Sequence, residues 1–66
     1  MKYSLGIDVG SASAKLALLN ELGGIVILDM EKITSSPQDA VSSLLSKLSA
    51  KVRLTDIATA GVSGSG

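Results

Sequence analysis

The chain has 66 residues, with six Lys and Arg balanced by six Asp and Glu and with no His, Cys, Trp or Phe. These counts exclude, within this chain, metal sites built on imidazole or thiolate, disulfide frameworks and nucleophiles activated by histidine. A formal net charge of zero leaves no electrostatic footprint for nucleic acid. Because Tyr3 is the single aromatic residue, the core has to be built from Leu, Ile, Val and Ala.

The short length of the chain sets a second expectation. A chain of this size buries only about 60% of the surface that it exposes when unfolded, so it is marginally stable alone. We therefore expect either a self-associating module or a piece of a larger protein, in which residues 1–66 form an incomplete N-terminal subdomain. The glycine-punctuated run of residues 61–66 favours the second alternative, although a plain linker or a frayed end fits it equally well.

No targeting or membrane segment is predicted. Asp8 interrupts the first apolar run, which is unlike the apolar region of a signal peptide. The longest uncharged apolar stretch, residues 22–28, is far shorter than the ~20 residues that a membrane helix needs. We expect a cytoplasmic protein that binds neither membrane nor nucleic acid.

Three short apolar segments in the first half of the chain predict an antiparallel β-meander. The first has the period-two alternation of a half-buried strand, with its apolar side chains at Tyr3, Leu5, Ile7 and Val9. A turn at residues 10–13, where Gly10 is expected to supply unusual backbone angles, leads to a second apolar run at 14–19. A second turn at 20–24 precedes the strongly β-prone tetrad at 25–28.

The next segment predicts a helix. Ser36 followed by Pro37 is typical of a helix start, and Asp39 suits the positive end of the helix dipole. A single apolar stripe follows at helical spacing: Val41, Leu44, Leu45, Leu48 and Val52. Cationic side chains gather near the other end, where they suit the dipole: Lys47, Lys51 and Arg53.

Residues 56–62 predict a fourth strand, which gives the order β-β-β-α-β. A strand reached through a helix can return to the same sheet as a parallel neighbour by a right-handed crossover. The fold class is therefore α/β, with a three-strand antiparallel meander, one crossover helix and a parallel fourth strand. The helix would cover one sheet face and leave the other bare.

The turn after the first strand carries the chemistry. Asp8 ends an apolar strand, Gly10 and small hydroxylated residues follow, and Lys15 begins the returning strand. Amides of a tight Gly/Ser turn can form an anion-binding concavity, and a carboxylate can hold Mg²⁺ through its water shell. This pattern predicts a site for a nucleotide phosphate. A plain hairpin in which Asp8 accepts hydrogen bonds from turn amides is the alternative.

The segment Leu5-Gly6-Ile7-Asp8-Val9-Gly10-Ser11, followed by Lys15, resembles the first phosphate motif of the ATPases that unite sugar kinases, actin and the heat-shock chaperones. Those proteins carry the motif on a hairpin between the first two strands of a ribonuclease-H-like domain. Within this actin-like superfamily the chain is most similar to the BadF/BadG/BcrA/BcrD group, ATP-driven activators of 2-hydroxyacyl-CoA dehydratases and benzoyl-CoA reductases. The short linker before the helix and Ser63-Gly64-Ser65-Gly66 carry this second likeness, the latter resembling Thr-Gly-Ser-Gly-Gly of the larger CoA-substrate-specific activases.

The resemblance implies a role for each matching residue. Asp8 would lie near the metal, and Lys15 would face the β- and γ-phosphates. The phosphates would also contact the turn residues Gly10, Ser11, Ala12 and Ser13. Ser63 and Gly64 would lie at the catalytic cleft. The chain departs from the family at Ala12 and Ala14, where hydroxylated residues are common, so two side-chain donors are lost.

The resemblance also implies the activity of the whole protein. Such an activase uses ATP and Mg²⁺, carries a 4Fe–4S cluster on cysteines, and delivers electrons to a CoA-ester dehydratase or reductase. This chain has no Cys, and the second phosphate loop would lie elsewhere, so no catalysis is expected from these residues alone. A carbohydrate kinase of the same superfamily is one alternative. A non-catalytic module that self-associates or binds a partner through its bare sheet face is another.

Overall fold

The computed structural model describes residues 2–64 and shows four strands and one α-helix in the predicted order β-β-β-α-β. The strands are β1 (Tyr3–Val9), β2 (Ser13–Leu19), β3 (Ile25–Lys32) and β4 (Ile57–Gly64). The helix α1 spans Pro37–Ser49, and a single 3₁₀ turn spans Leu54–Asp56.

The four strands form one mixed sheet in the order β3-β2-β1-β4. The pairs β1–β2 and β2–β3 are antiparallel, which confirms the meander. β4 pairs with β1 in parallel, with Gly6 opposite Gly61 and Asp8 opposite Ser63. The crossover through α1 thus returns the chain beside its own first strand, as parallel pairing requires.

The core lies between α1 and one face of the sheet. Alternate residues of β1 and β2 point to this side, because successive side chains of a strand point to opposite faces. The buried residues are Leu5, Ile7, Ala14, Leu16, Leu18, Ala40, Leu44 and Leu48. α1 packs mainly on β2 and β3, so the side chains of β4 after Ile57 are exposed on both faces. The opposite face of the sheet carries no layer within residues 2–64, which confirms the predicted bare face.

α1 begins where the sequence predicts. The side chain of Ser36 accepts a hydrogen bond from the N–H of Asp39 at 3.2 Å, and Pro37 occupies the first helical position. The buried stripe is Ala40, Leu44 and Leu48, with the other predicted residues only partly buried around it.

The predicted end of α1 was wrong. The helix stops at Ser49, and the N–H groups of Lys51 and Val52 both bond to the carbonyl of Leu48 in the turn that follows. Val52 still packs against the core, but Lys51 and Arg53 lie past the helix. Lys47 is therefore the basic residue of the last turn.

The two hairpin turns differ from each other. Asn20 organises the second turn, because its Oδ1 accepts from the N–H groups of Leu22 and Gly24, both at 2.9 Å. Gly23 in this turn has φ 84°, a left-handed value that favours glycine. Within the described residues no other position has a positive φ, so the expectation of unusual angles at Gly10 was wrong.

Two strands are longer than the sequence pattern predicts. β3 runs to Lys32 because Asp29 and Glu31 alternate with Leu28 and Met30 and point toward α1. β4 includes residues 61–64, which pair with β1 instead of forming a loop. Ser65 and Gly66, part of the glycine run singled out above, lie outside the described residues. No helix within residues 2–64 is long and apolar enough to cross a membrane.

Candidate functional site

The parallel pairing of β1 and β4 brings the two halves of the predicted site together. The carboxyl ends of parallel strands meet at the same edge of a sheet, where α/β proteins bind ligands. Asp8 lies opposite Ser63 and Val9 opposite Gly64, next to the turn at residues 10–13. Residues that are 55 positions apart in the chain, Asp8 and Ser63, are therefore in direct contact.

Asp8, Ser63 and Lys15 form a polar row across three strands. The hydroxyl of Ser63 donates to Oδ1 of Asp8 at 3.1 Å. Lys15 is the cross-strand partner of Asp8 on the other side. The side chains of all three are exposed, and within residues 2–64 the ion pairs closer than 4 Å involve Lys47 and not Lys15. The Lys15 ammonium therefore has room to meet an anion.

Hydrogen bonds fix the turn between β1 and β2. The N–H of Gly10 donates to the carbonyl of Ser13 at 2.9 Å, so this amide is not available to a ligand. The carbonyl of Ala12 accepts from the N–H of Ile33 at 2.9 Å, which ties the turn to the segment after β3. Within the described chain, the amides of Ser11 and Ala12 have no protein acceptor. The anion-binding donors of the turn are thus these two amides and the hydroxyls of Ser11 and Ser13.

The alternative in which Asp8 stabilises its own turn is not what the structure shows. Among residues 2–64, no turn amide donates to Asp8, which accepts a hydrogen bond from the hydroxyl of Ser63 on β4. Asp8 therefore joins β1 to β4 and does not hold the hairpin closed. The sequence offered no signal for this contact, because it depends on the register between strands that are distant in the chain.

Asp8 could hold a cation only together with ligands that phosphate oxygens or water supply. No group of three His, Cys, Asp or Glu side chains converges within the described residues. Mg²⁺ is commonly bound through one or two carboxylates together with phosphate oxygens and water, and the exposed Asp8 carboxylate can supply one such ligand. Ligands for an iron–sulfur cluster are missing, since the chain has no Cys.

The polar row borders a shallow concavity of about 1010 Å³ on the sheet face opposite α1. We call this surface the open face. Two rows of paired residues cross it: Ser63, Asp8, Lys15 and Met30, and beside them Gly61, Gly6, Ala17 and Leu28. Leu28 and Met30 are 69% and 54% exposed, so the β3 side of the face carries exposed apolar side chains, whereas the β4 side carries the small residues Gly61 and Ser63. Sequence reasoning missed the second row, which emerges only from the register.

A separate charged cluster lies between α1 and β3. The Lys47 ammonium is 2.9 Å from Oε2 of Glu31 and 3.2 Å from Oδ2 of Asp29. The hydrogen bond to Glu31, followed by that to Asp29, raises the pKa of Lys47 above its ordinary value of 10.5. Two hydrogen bonds lower the pKa of the Asp29 carboxyl below 3.8. The larger effect comes from the N–H of Met30 and the next from the Lys47 ammonium. This cluster joins helix to sheet and lies on the face opposite the candidate site.

Comparison with known proteins finds no family model that matches the chain and no curated protein that matches it at a significant level.

Proposed function

We propose that this chain supplies the first phosphate-binding hairpin of an ATP-dependent activase of the BadF/BadG/BcrA/BcrD type, within a ribonuclease-H-like domain. The observation that carries the proposal is the meeting of the hairpin turn with the end of β4. Asp8, Lys15 and the turn residues reach one edge of the sheet together with Ser63 and Gly64. These are the residues that the family motif would place around a β/γ-phosphate.

Two further features support this proposal. The strand order β3-β2-β1-β4, with β4 parallel to β1, agrees with a ribonuclease-H-like arrangement. Only residues 33–36 separate β3 from α1. Carbohydrate kinases of the same superfamily usually carry a longer segment here, so the short linker favours an activase.

Each residue of the candidate site would have a distinct role in binding phosphate. The amides of Ser11 and Ala12 and the hydroxyls of Ser11 and Ser13 would donate to phosphate oxygens. Lys15 would add a positive charge beside them. Asp8, held by Ser63, would supply one oxygen ligand to Mg²⁺, which neutralises phosphate charge when bound. The hydrolytic carboxylate, the second phosphate loop and the cluster cysteines would lie outside these 66 residues.

The proposal is tested by titrating the ¹⁵N-labelled chain with Mg-ATP and following its amide signals by NMR. We expect weak, millimolar binding, because half of the clamp is absent, with shifts concentrated at Ser11, Ala12 and Gly64. Lys15→Ala should weaken binding several-fold, since it removes the cation. Lys51→Ala removes another exposed lysine, beyond α1, and should leave binding unchanged. Shifts centred elsewhere, or equal effects of the two variants, would contradict the proposal.

A further inference from the structure

Lys32 lies beside the turn of the candidate phosphate site, although it belongs to β3 and not to the hairpin of β1 and β2. It is the cross-strand partner of Ser13, the first residue of β2 after the turn. The N–H of Ile33 donates to the carbonyl of Ala12 at 2.9 Å, which holds the end of β3 against the same turn. Strand pairing and this hydrogen bond therefore fix the backbone of Lys32 next to the proposed phosphate donors.

The side chain of Lys32 projects from the open face. Successive side chains of a strand point to opposite faces, and Glu31 points toward α1, where its carboxylate is 2.9 Å from the Lys47 ammonium. Lys32 is exposed and lies on the same face as Met30, the cross-strand partner of Lys15. Within residues 2–64, no carboxylate lies closer than 4 Å to the Lys32 ammonium. The ammonium is therefore available to an anion bound at the turn.

Lys32 and Lys15 are diagonal neighbours on adjacent strands. Lys15 pairs with Met30, two residues before Lys32. Side chains in this relation start about 7–8 Å apart, a separation that long side chains can bridge. Two cations so close repel each other, and an anion bound between them removes this repulsion. The pair of lysines therefore favours an anionic ligand more strongly than Lys15 alone.

The charges at this end of the open face are distributed over three strands. Asp8 lies on β1, Lys15 on β2 and Lys32 on β3. Because neighbouring strands are ~4.8 Å apart, about 10 Å separates β1 from β3. A single phosphate beside Asp8 would contact Lys15 and leave Lys32 unused, whereas linked phosphates would reach both lysines.

We propose that Lys32 is the second cation of the phosphate site and that the site takes two or more linked phosphates, laid across the strands from β1 to β3. One phosphate contacts Lys15 and the turn amides, and the next contacts Lys32 and the hydroxyl of Ser13. This inference rests on the proposed function. It adds the direction of the phosphate chain and a binding residue that lies outside the motif of the hairpin.

Titration of the ¹⁵N-labelled chain with orthophosphate, pyrophosphate and tripolyphosphate, at constant ionic strength and without Mg²⁺, tests the inference by NMR. Linked phosphates should bind the native chain more tightly than orthophosphate, with shifts that extend from the turn to Lys32 and Ile33. Lys32→Gln should weaken tripolyphosphate binding about two- to fivefold, the range expected for one exposed ion pair, and should change orthophosphate binding little. Lys32→Arg keeps the positive charge and should keep the affinity.

Lys51→Gln is the matched control, because it removes the same charge from an exposed position beyond α1. It should leave all three affinities unchanged, and circular dichroism should show that both variants are folded. Equal effects of Lys32→Gln and Lys51→Gln would overturn the role of Lys32. An equal loss for orthophosphate and tripolyphosphate in Lys32→Gln would mean that both lysines hold one phosphate, which overturns the linked-phosphate assignment.

Lys15→Gln separates the failure of this inference from the failure of the proposed function. If Lys15→Gln weakens binding of tripolyphosphate and Lys32→Gln does not, the phosphate hairpin is supported and the inference is refuted. If none of the anions shifts the amide signals of Ser11 and Ala12, the proposed function is refuted and the inference with it.

Discussion

At the scale of single residues, Gly23 and Gly6 differ in whether the backbone conformation requires glycine. Gly23 sits in the second hairpin turn at φ 84°, where an L side chain is strained. Gly6 sits in β1 without a positive φ and with open space around its missing Cβ. The backbone conformation requires glycine at position 23, whereas nothing among the described residues requires it at position 6.

This contrast predicts opposite effects of the same substitution. Gly23→Ala should lower the free energy of unfolding by about 1–2 kcal/mol, because the turn forces the left-handed conformation. Gly6→Ala should raise the free energy of unfolding by about 0.4–1 kcal/mol, because it restricts the unfolded chain without strain in the folded one. Urea denaturation of the two variants beside the native chain measures both changes. Two changes of the same sign would contradict this account.

At the scale of elements, α1 is the part of the fold that local chemistry defines most completely. Ser36 satisfies the N–H of Asp39, and Pro37 follows at a position that needs no donor. Ser35 donates to the carboxylate of Asp39 at 2.7 Å, so the first turn is held from two sides. The buried stripe then packs the helix against β2 and β3.

The cap predicts a defined loss of stability. Ser36→Ala should lower the free energy of unfolding by about 1 kcal/mol, since the N–H of Asp39 loses its acceptor. Ser42→Ala, an exposed position in the middle of the same helix, is the matched control and should be neutral or slightly stabilising. Chemical denaturation of the two variants measures the difference. Equal effects would show that the cap does not stabilise the helix.

Sequence patterns predicted the elements well and their ends less well. Alternation in β1, the turn residues of the hairpins and the cap at Ser36 are local signals, and the structure confirms each element. β3 was predicted too short because Asp29 and Glu31 look like a loop until Lys47 of α1 is placed beside them. The contact between Asp8 and Ser63 and the pairing of Gly6 with Gly61 depend on the register of β1 with β4. No local pattern specifies that register.

At the scale of the whole molecule, the helix and the sheet form two layers, and charged side chains lie where they meet. Lys47 links α1 to β3 through Asp29 and Glu31, beside a core that is entirely aliphatic. The carboxyl of Asp29 has a lowered pKa and the Lys47 ammonium a raised one, so each charged form is favoured by folding. The contribution of these ion pairs to stability therefore depends on pH at both the acidic and the alkaline end of the range.

The direction of this coupling gives a stability profile. The contribution of Asp29 is present above its unfolded pKa of 3.8 and is lost as pH falls through the lower folded value. The contribution of Lys47 is present below 10.5 and is lost as pH rises through the higher folded value. Urea denaturation across pH should show a plateau near neutrality with a small decline on each side, because the groups are exposed.

Lys47→Met should lower this plateau and flatten the alkaline decline, since the ammonium that titrates there is gone. Lys32→Met is the matched control, because Lys32 alternates with Glu31 on β3 and points to the other face. It should keep both declines. An unchanged alkaline decline in Lys47→Met would show that the helix and the sheet are not coupled through this lysine.

The pairing of β1 with β4 has a consequence for the order in which the molecule assembles. The two hairpins and α1 close over short stretches of chain, whereas β4 must find a strand more than 50 positions earlier, as the contact between Asp8 and Ser63 shows. Contacts between distant residues carry the largest loop-closure cost and form late. β4 therefore docks last and opens first, which hydrogen exchange of its amides would record. Ser63 and Gly64 reach the turn only in that final step, so the candidate site does not exist in any partly folded form of the chain.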